Sequence, residues 1–187
     1  MPDLQNLPDS YRRCRLLVDG YNLMYAIGAI QHGDLRPNAL QQGRDRLLNQ
    51  LSQGLPLERR GLVWVVFDSE VAPKDLQDHW TRQGMQVVFS RGWTSADEML
   101  QAIIAAHHSP KQLSVLSSDH AVQRRAIARG AKAFDSECWE QAIASVVATS
   151  TSSRDEPPTQ DQELRPEHVS EQDRKEWLRR FGFEDGV

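Results

Sequence analysis

The chain has 187 residues, 39% of them hydrophobic and five of them Trp, which suits one domain of ordinary size plus a short appendage. No apolar run approaches the ~18 residues of a membrane span, and a formal charge of −4 argues against a strongly basic surface. The two cysteines, Cys14 and Cys138, lack metal-type spacing and read as small buried residues in a reducing compartment. Residues 1–9 have neither a basic start nor an apolar stretch, so the expected location is cytoplasmic, without a secretory signal.

Residues 1–13 are polar and read as irregular, and Cys14 then opens a main domain expected over 14–148. Residues 15–19 form a first buried strand running into Gly20-Tyr21-Asn22, a turn signal. The pattern predicts a helix from Pro37 to about Gln53, with Leu40, Leu47, Leu48 and Leu51 on one face. A near-continuous apolar strand follows over 62–67, then a helix from Ala72 to Gln83 begun by Pro73, then a strand from Met85 to Phe89. Thr94 or Ser95 caps a helix from Ala96 to about His107. Leu113 to Leu116 is a fourth strand, Ser118-Asp119 caps a helix reaching Arg129, Ala131 to Phe134 is a fifth strand, and a last helix runs from Ser136 to about Val147. Strands alternating with helices indicate an α/β fold with a mostly parallel sheet covered on both faces.

Beyond Ala148 the composition shifts. Residues 149–163 are rich in Ser, Thr and Pro and read as a flexible linker, and 164–187 as a charged tail. Val169, Trp177, Leu178 and Phe181 form a narrow apolar stripe on an expected tail helix. Residues 149–187 hold six basic and ten acidic residues, so they carry the entire negative charge and the main domain is balanced. Arg outnumbers Lys in that domain, which suits bidentate phosphate contacts.

Four acids stand where strands end or helices begin: Asp19, Asp68, Asp97 and Asp119. In a parallel sheet such positions converge on one crevice, where a proton or a cation must offset their mutual repulsion. An all-carboxylate set suits Mg²⁺ or Mn²⁺, one ion or two, rather than Zn²⁺. The fitting reaction is phosphodiester hydrolysis. Each acid also has a plain alternative: turn residue for Asp19 and Asp68, helix cap for Asp119, dipole-stabilised first turn for Asp97 and its neighbour Glu98. Asn22, Ser117 and Ser118 could contact phosphate or orient the acids, and Arg44, Arg91, Arg124 and Arg125 are candidates for gripping an RNA backbone. Tyr21, Tyr25 and Trp93 flank the expected crevice and could stack on bases, with core packing the alternative. His107-His108 reads as a solvated pair at a helix end.

Leu16-Leu17-Val18-Asp19-Gly20-Tyr21-Asn22-Leu23, Val65-Val66-Phe67-Asp68, Thr94-Ser95-Ala96-Asp97-Glu98, Ser117-Ser118-Asp119 and Arg129-Gly130-Ala131 together resemble the NYN domain, and within it the YacP-like branch of the PIN-like nuclease superfamily. The resemblance implies a three-layer α/β/α sandwich and metal-dependent ribonuclease activity, usually endonucleolytic. By position it implies that Asp19, Asp97 and Asp119 bind metal, that Asp68 and Glu98 are further acidic positions, and that Asn22 is the motif asparagine. Two rivals stand beside an RNA-cleaving enzyme. One is a silent module that binds RNA or a ribonucleoprotein such as the ribosome. The other is a receiver-like phosphoacceptor domain, which expects paired acids after the first strand where this chain has Val18-Asp19-Gly20.

Overall fold

A computed structural model describes residues 4, 7–31, 38–69 and 77–148. The expected linker and tail helix lie outside the described residues, as do Pro37 and residues 72–76. The strands are β1 (Leu16–Asp19), β2 (Val63–Phe67), β3 (His79–Arg82), β4 (Met85–Phe89), β5 (Ser114–Leu116) and β6 (Lys132–Phe134). The helices are α1 (Gly20–Ala26), α2 (Ala39–Gly54), α3 (Leu57–Arg60), α4 (Ala96–Ala106), α5 (His120–Ala128) and α6 (Trp139–Ala148).

One six-stranded sheet has the order β3-β4-β2-β1-β5-β6, parallel throughout except for β3. The burial pattern explains its layering. β1 and β2 are buried at every position, so alternate residues feed two separate cores. Leu16, Val18, Val63, Val65 and Phe67 pack on one face with Leu23 and Met24 of α1, Leu47, Leu48 and Leu51 of α2, and Ile143 and Val146 of α6. Leu17, Trp64 and Val66 pack on the other with Met99, Leu100 and Ile103 of α4, and Val122 and Ala126 of α5. This is a three-layer α/β/α sandwich. Among the described residues, no helix is long and apolar enough to cross a membrane.

The predicted helix ending at Gln83 is wrong over its described part. Residues 79–82 are an antiparallel edge strand, with Arg82 opposite Met85. Gln83 (φ 52°) and Gly84 (φ 85°) both take left-handed conformations, the requirement of a two-residue hairpin. Strand alternation completes the argument: the His79 ring stacks on Trp64 at 5.4 Å, whereas Trp80 turns to Phe89 at 5.2 Å in the opposite core. Three smaller differences accompany it. Gly20-Tyr21-Asn22 is the first turn of α1 rather than a loop. Residues Asp9–Arg13 form a 3-10 helix that buries Tyr11. His107 is buried rather than solvated: its Nε2 donates to the Cys14 carbonyl (2.8 Å), its Nδ1 accepts from the Ser109 N–H (3.1 Å), and only His108 is exposed.

Candidate active site

The connections from β1 lead to β2 and β4 on one side, whereas β5 and β6 lie on the other. The sheet therefore reverses direction between β1 and β5, the place where open α/β sheets hold their ligands. A cavity of about 380 Å³ opens at this end, lined by Asp19, Tyr21, Asn22, Asp68, Ala96, Asp97, Ser118 and Asp119. Four carboxylates from separate stretches of chain thus share one space.

Asp19 is the last residue of β1 and the N-cap of α1. Its Oδ1 accepts from the Asn22 N–H (3.2 Å), and its Oδ2 accepts from Asn22 Nδ2 (2.7 Å) and Ser117 Oγ (3.0 Å). It is only 5% exposed, and that burial pushes its pKa from 3.8 up to about 6 despite these donors, with Asp97 and Asp119 adding repulsion. Asp119 caps α5, its Oδ1 accepting from the Val122 N–H (2.8 Å). Asp97 sits in the first turn of α4, and its pKa is raised by burial, then by Asp119 and Asp68. Asp68 follows β2, and its Oδ2 accepts from the Ala96 N–H at 3.0 Å, tying it to the start of α4. Capping and crowding coexist here: the helix starts that make these acids locally favourable also bring them to the wall of one cavity.

Ser117 lies beneath the cavity, fully buried, and joins its parts. Its hydroxyl donates to Asp19 and accepts from Asn22 Nδ2 (3.3 Å) and the Asp119 N–H (3.1 Å), which uses all three of its hydrogen-bonding positions. Ser118 lines the cavity, donating to Asp135 (3.1 Å) and accepting from the Ser136 N–H (3.3 Å).

Other expected site residues stand apart. Glu98 is exposed, does not line the cavity, and accepts from the Thr94 N–H (2.9 Å), which lowers its pKa; Ser95 is the N-cap of that helix. Arg44 is buried behind the wall, its NH1 donating to the Tyr21 hydroxyl at 3.0 Å and its guanidinium set over the Phe89 ring. Arg124 and Arg125 are exposed on α5 without lining the cavity. Arg91 pairs with Asp78 at 3.1 Å. Trp93 is half-buried against the α4 core, and Tyr25 is exposed but lines nothing here. Sequence reasoning did not foresee the Arg44–Tyr21 contact, because nothing in the spacing of residues 21 and 44 shows which face of α2 meets α1.

Among the described residues, no group of three His, Cys, Asp or Glu side chains converges tightly enough to hold a metal ion by itself. The donor set is nonetheless that of a hard cation, and Mg²⁺ commonly retains several waters and takes only one or two carboxylates directly.

The YacP-like NYN domain matches residues 16–181. The chain belongs to the YacP-like NYN family. Comparison with curated proteins gives no match. Among solved structures it is similar to Rae1 (YacP) from Bacillus subtilis, at 26% identity over 73% of this chain and 76% of that one, with a TM-score of 0.50. A Trp-to-Leu variant of the same protein matches at 26% identity over 72% and 77%, with a TM-score of 0.49. The family match extends past Ala148, to residue 181. Its nuclease-like architecture agrees with the cavity at the β1–β5 switch point.

Proposed function

We propose that this protein is a divalent-metal-dependent ribonuclease, acting as an endoribonuclease on RNA phosphodiester bonds. The observation that carries the reading is the shared cavity of Asp19, Asp68, Asp97 and Asp119, whose burial drives the Asp19 pKa up to about 6. Asp19, Asp97 and Asp119 would hold Mg²⁺ or Mn²⁺, largely through water, with Asp68 assisting from the start of α4. When bound, a divalent cation supplies positive charge for the phosphoryl oxygens and lowers the pKa of the attacking water. The protein's own part is to hold the carboxylates at fixed positions through Asn22 and Ser117, so that no reorganisation is needed when substrate arrives.

The test is cleavage of an end-labelled RNA by purified protein. Wild type with Mn²⁺ is expected to cut internally, EDTA to abolish cutting, and Asp119→Asn to lower kcat by on the order of 10² or more. Equal cleavage under all three conditions would mean a contaminant and end the proposal. One observation favours a second reading, a silent RNA- or ribonucleoprotein-binding module: no three acids form a closed metal cage among the described residues. RNA binding that survives Asp19→Asn and Asp119→Asn, with no cleavage by wild type, would select it.

A further inference from the structure

An acidic cavity that receives a phosphodiester needs hydrogen-bond donors as well as a cation, and most of its donors are already committed. Both Asn22 Nδ2 hydrogens are engaged, one by Asp19 and the other by Ser117. The Ser118 hydroxyl hydrogen goes to Asp135, and the Ala96 N–H goes to Asp68. Tyr21 differs. Its hydroxyl oxygen accepts from Arg44 NH1 at 3.0 Å, and because a guanidinium only donates, the phenolic hydrogen is left to donate elsewhere. Among the described residues no acceptor takes it. Of the side-chain hydroxyl and amide groups on the cavity-lining residues, this is the one whose hydrogen has no acceptor among the described residues.

The ring carrying that hydroxyl is firmly placed. Tyr21 meets Phe67 edge-on at 5.2 Å between centroids, and Arg44 is itself buried with its guanidinium 5.5 Å above the Phe89 ring. Arg44 therefore brings a buried positive charge to the edge of an otherwise acidic space, and it does so through the phenol. A hydroxyl that accepts from a cation becomes a stronger donor, since charge is drawn along the chain of bonds.

We propose that Tyr21 donates a hydrogen bond to a non-bridging phosphoryl oxygen of the scissile RNA phosphodiester, with Arg44 as the positioning residue that aims and polarises its hydroxyl. This assignment rests on the nuclease reading above. No proton is transferred and no covalent bond forms to Tyr21; the contact strengthens as negative charge builds on the phosphoryl oxygens.

The experiment uses the full chain, a labelled RNA oligonucleotide and Mn²⁺. Tyr21→Phe keeps the ring against Phe67 and removes only the hydroxyl. Its kcat is expected to fall on the order of 10²-fold, with KM and the RNA affinity measured by fluorescence anisotropy in Ca²⁺ changing by less than about threefold. Arg44→Met should show the same kcat defect, Arg44→Lys should recover part of it, and the Tyr21→Phe/Arg44→Met double variant should be no slower than Tyr21→Phe alone. Should Arg44→Met fail to fold, Tyr21→Phe decides by itself. A Tyr21→Phe enzyme with kcat within about twofold of wild type, or a loss confined to KM, overturns the assignment while the nuclease reading stands. A wild type that cuts no RNA removes both.

Discussion

At the scale of single residues, the site depends on one serine that motif reading could place but not rank. Asp19 and Asp119 were legible as the acids following β1 and β5, Asp19 because a carboxylate between a buried strand and a Gly turn has no packing role, Asp119 with a helix cap as its alternative. Ser117 was legible only as a polar residue beside them. What distinguishes it is complete burial and three simultaneous partners, Asp19 and Asn22 on the far side of the β1–β5 junction and Asp119 on its own side, and these are tertiary facts. Ser117→Ala leaves the Asp119 N–H without its partner and takes one donor from a buried carboxylate. The expected cost is about 1–3 kcal/mol in urea unfolding. Because the Ser117 hydroxyl lowers the Asp19 pKa, the variant should also need a higher pH to reach half-maximal activity. An unchanged unfolding midpoint would show that the hydroxyl network contributes nothing to holding the site.

At the scale of elements, the parts read correctly are those whose own sequence states their period. β2 is a run of five buried apolar residues, and α4 begins with Ser95 and buries Met99, Leu100, Ile103 and Ile104 at helical spacing. β3 and α1 were misread because local chemistry there points two ways. Pro73 suggested a helix start, yet the left-handed pair Gln83–Gly84 and the alternation of His79 and Trp80 make a hairpin edge. Gly20 and Asn22 read as turn punctuation, yet Asp19 caps a helix at that point and Gly20 is there for lack of room. A β-carbon at Gly20 would run into the Phe67 ring, which is fully buried between Tyr21 and Phe89. Gly20→Ala must push the ring aside or lift the start of α1, and overpacking of this kind costs about 1–3 kcal/mol. Activity should fall with stability, since Asp19 precedes the displaced residue and Tyr21 follows it. A variant with wild-type urea midpoint and wild-type cleavage would show that the ring yields freely and that α1 does not need its glycine.

At the scale of the whole molecule, the fold holds an acid where water is nearly excluded, and this ties stability to pH and, on the proposed function, to cations. The folded pKa of Asp19, about 6, lies above its ordinary 3.8, so its protonated form is the one folding favours. Relative to that form, stability is fully present below 3.8 and declines as pH rises through about 6, at a cost on the order of 3 kcal/mol in neutral, metal-free solution. His107 opposes it. Burial lowers its pKa below 6.5, so its contribution is complete above that value and is lost as pH falls through the lowered folded value. On the proposed function, a divalent cation would compete with the proton for Asp19 and stabilise the folded state only where the carboxylate is ionised. The rise in Tm on adding millimolar Mn²⁺ should therefore be small at pH 5 and larger at pH 8, and Asp19→Asn should lose most of that difference. His107 lies outside the cavity, so its pH response should be the same with and without Mn²⁺, leaving the metal-dependent part to the acids. A Tm gain of equal size at both pH values, or one that Asp19→Asn retains in full, would place the cation elsewhere on the protein and separate the carboxylate cavity from metal binding altogether.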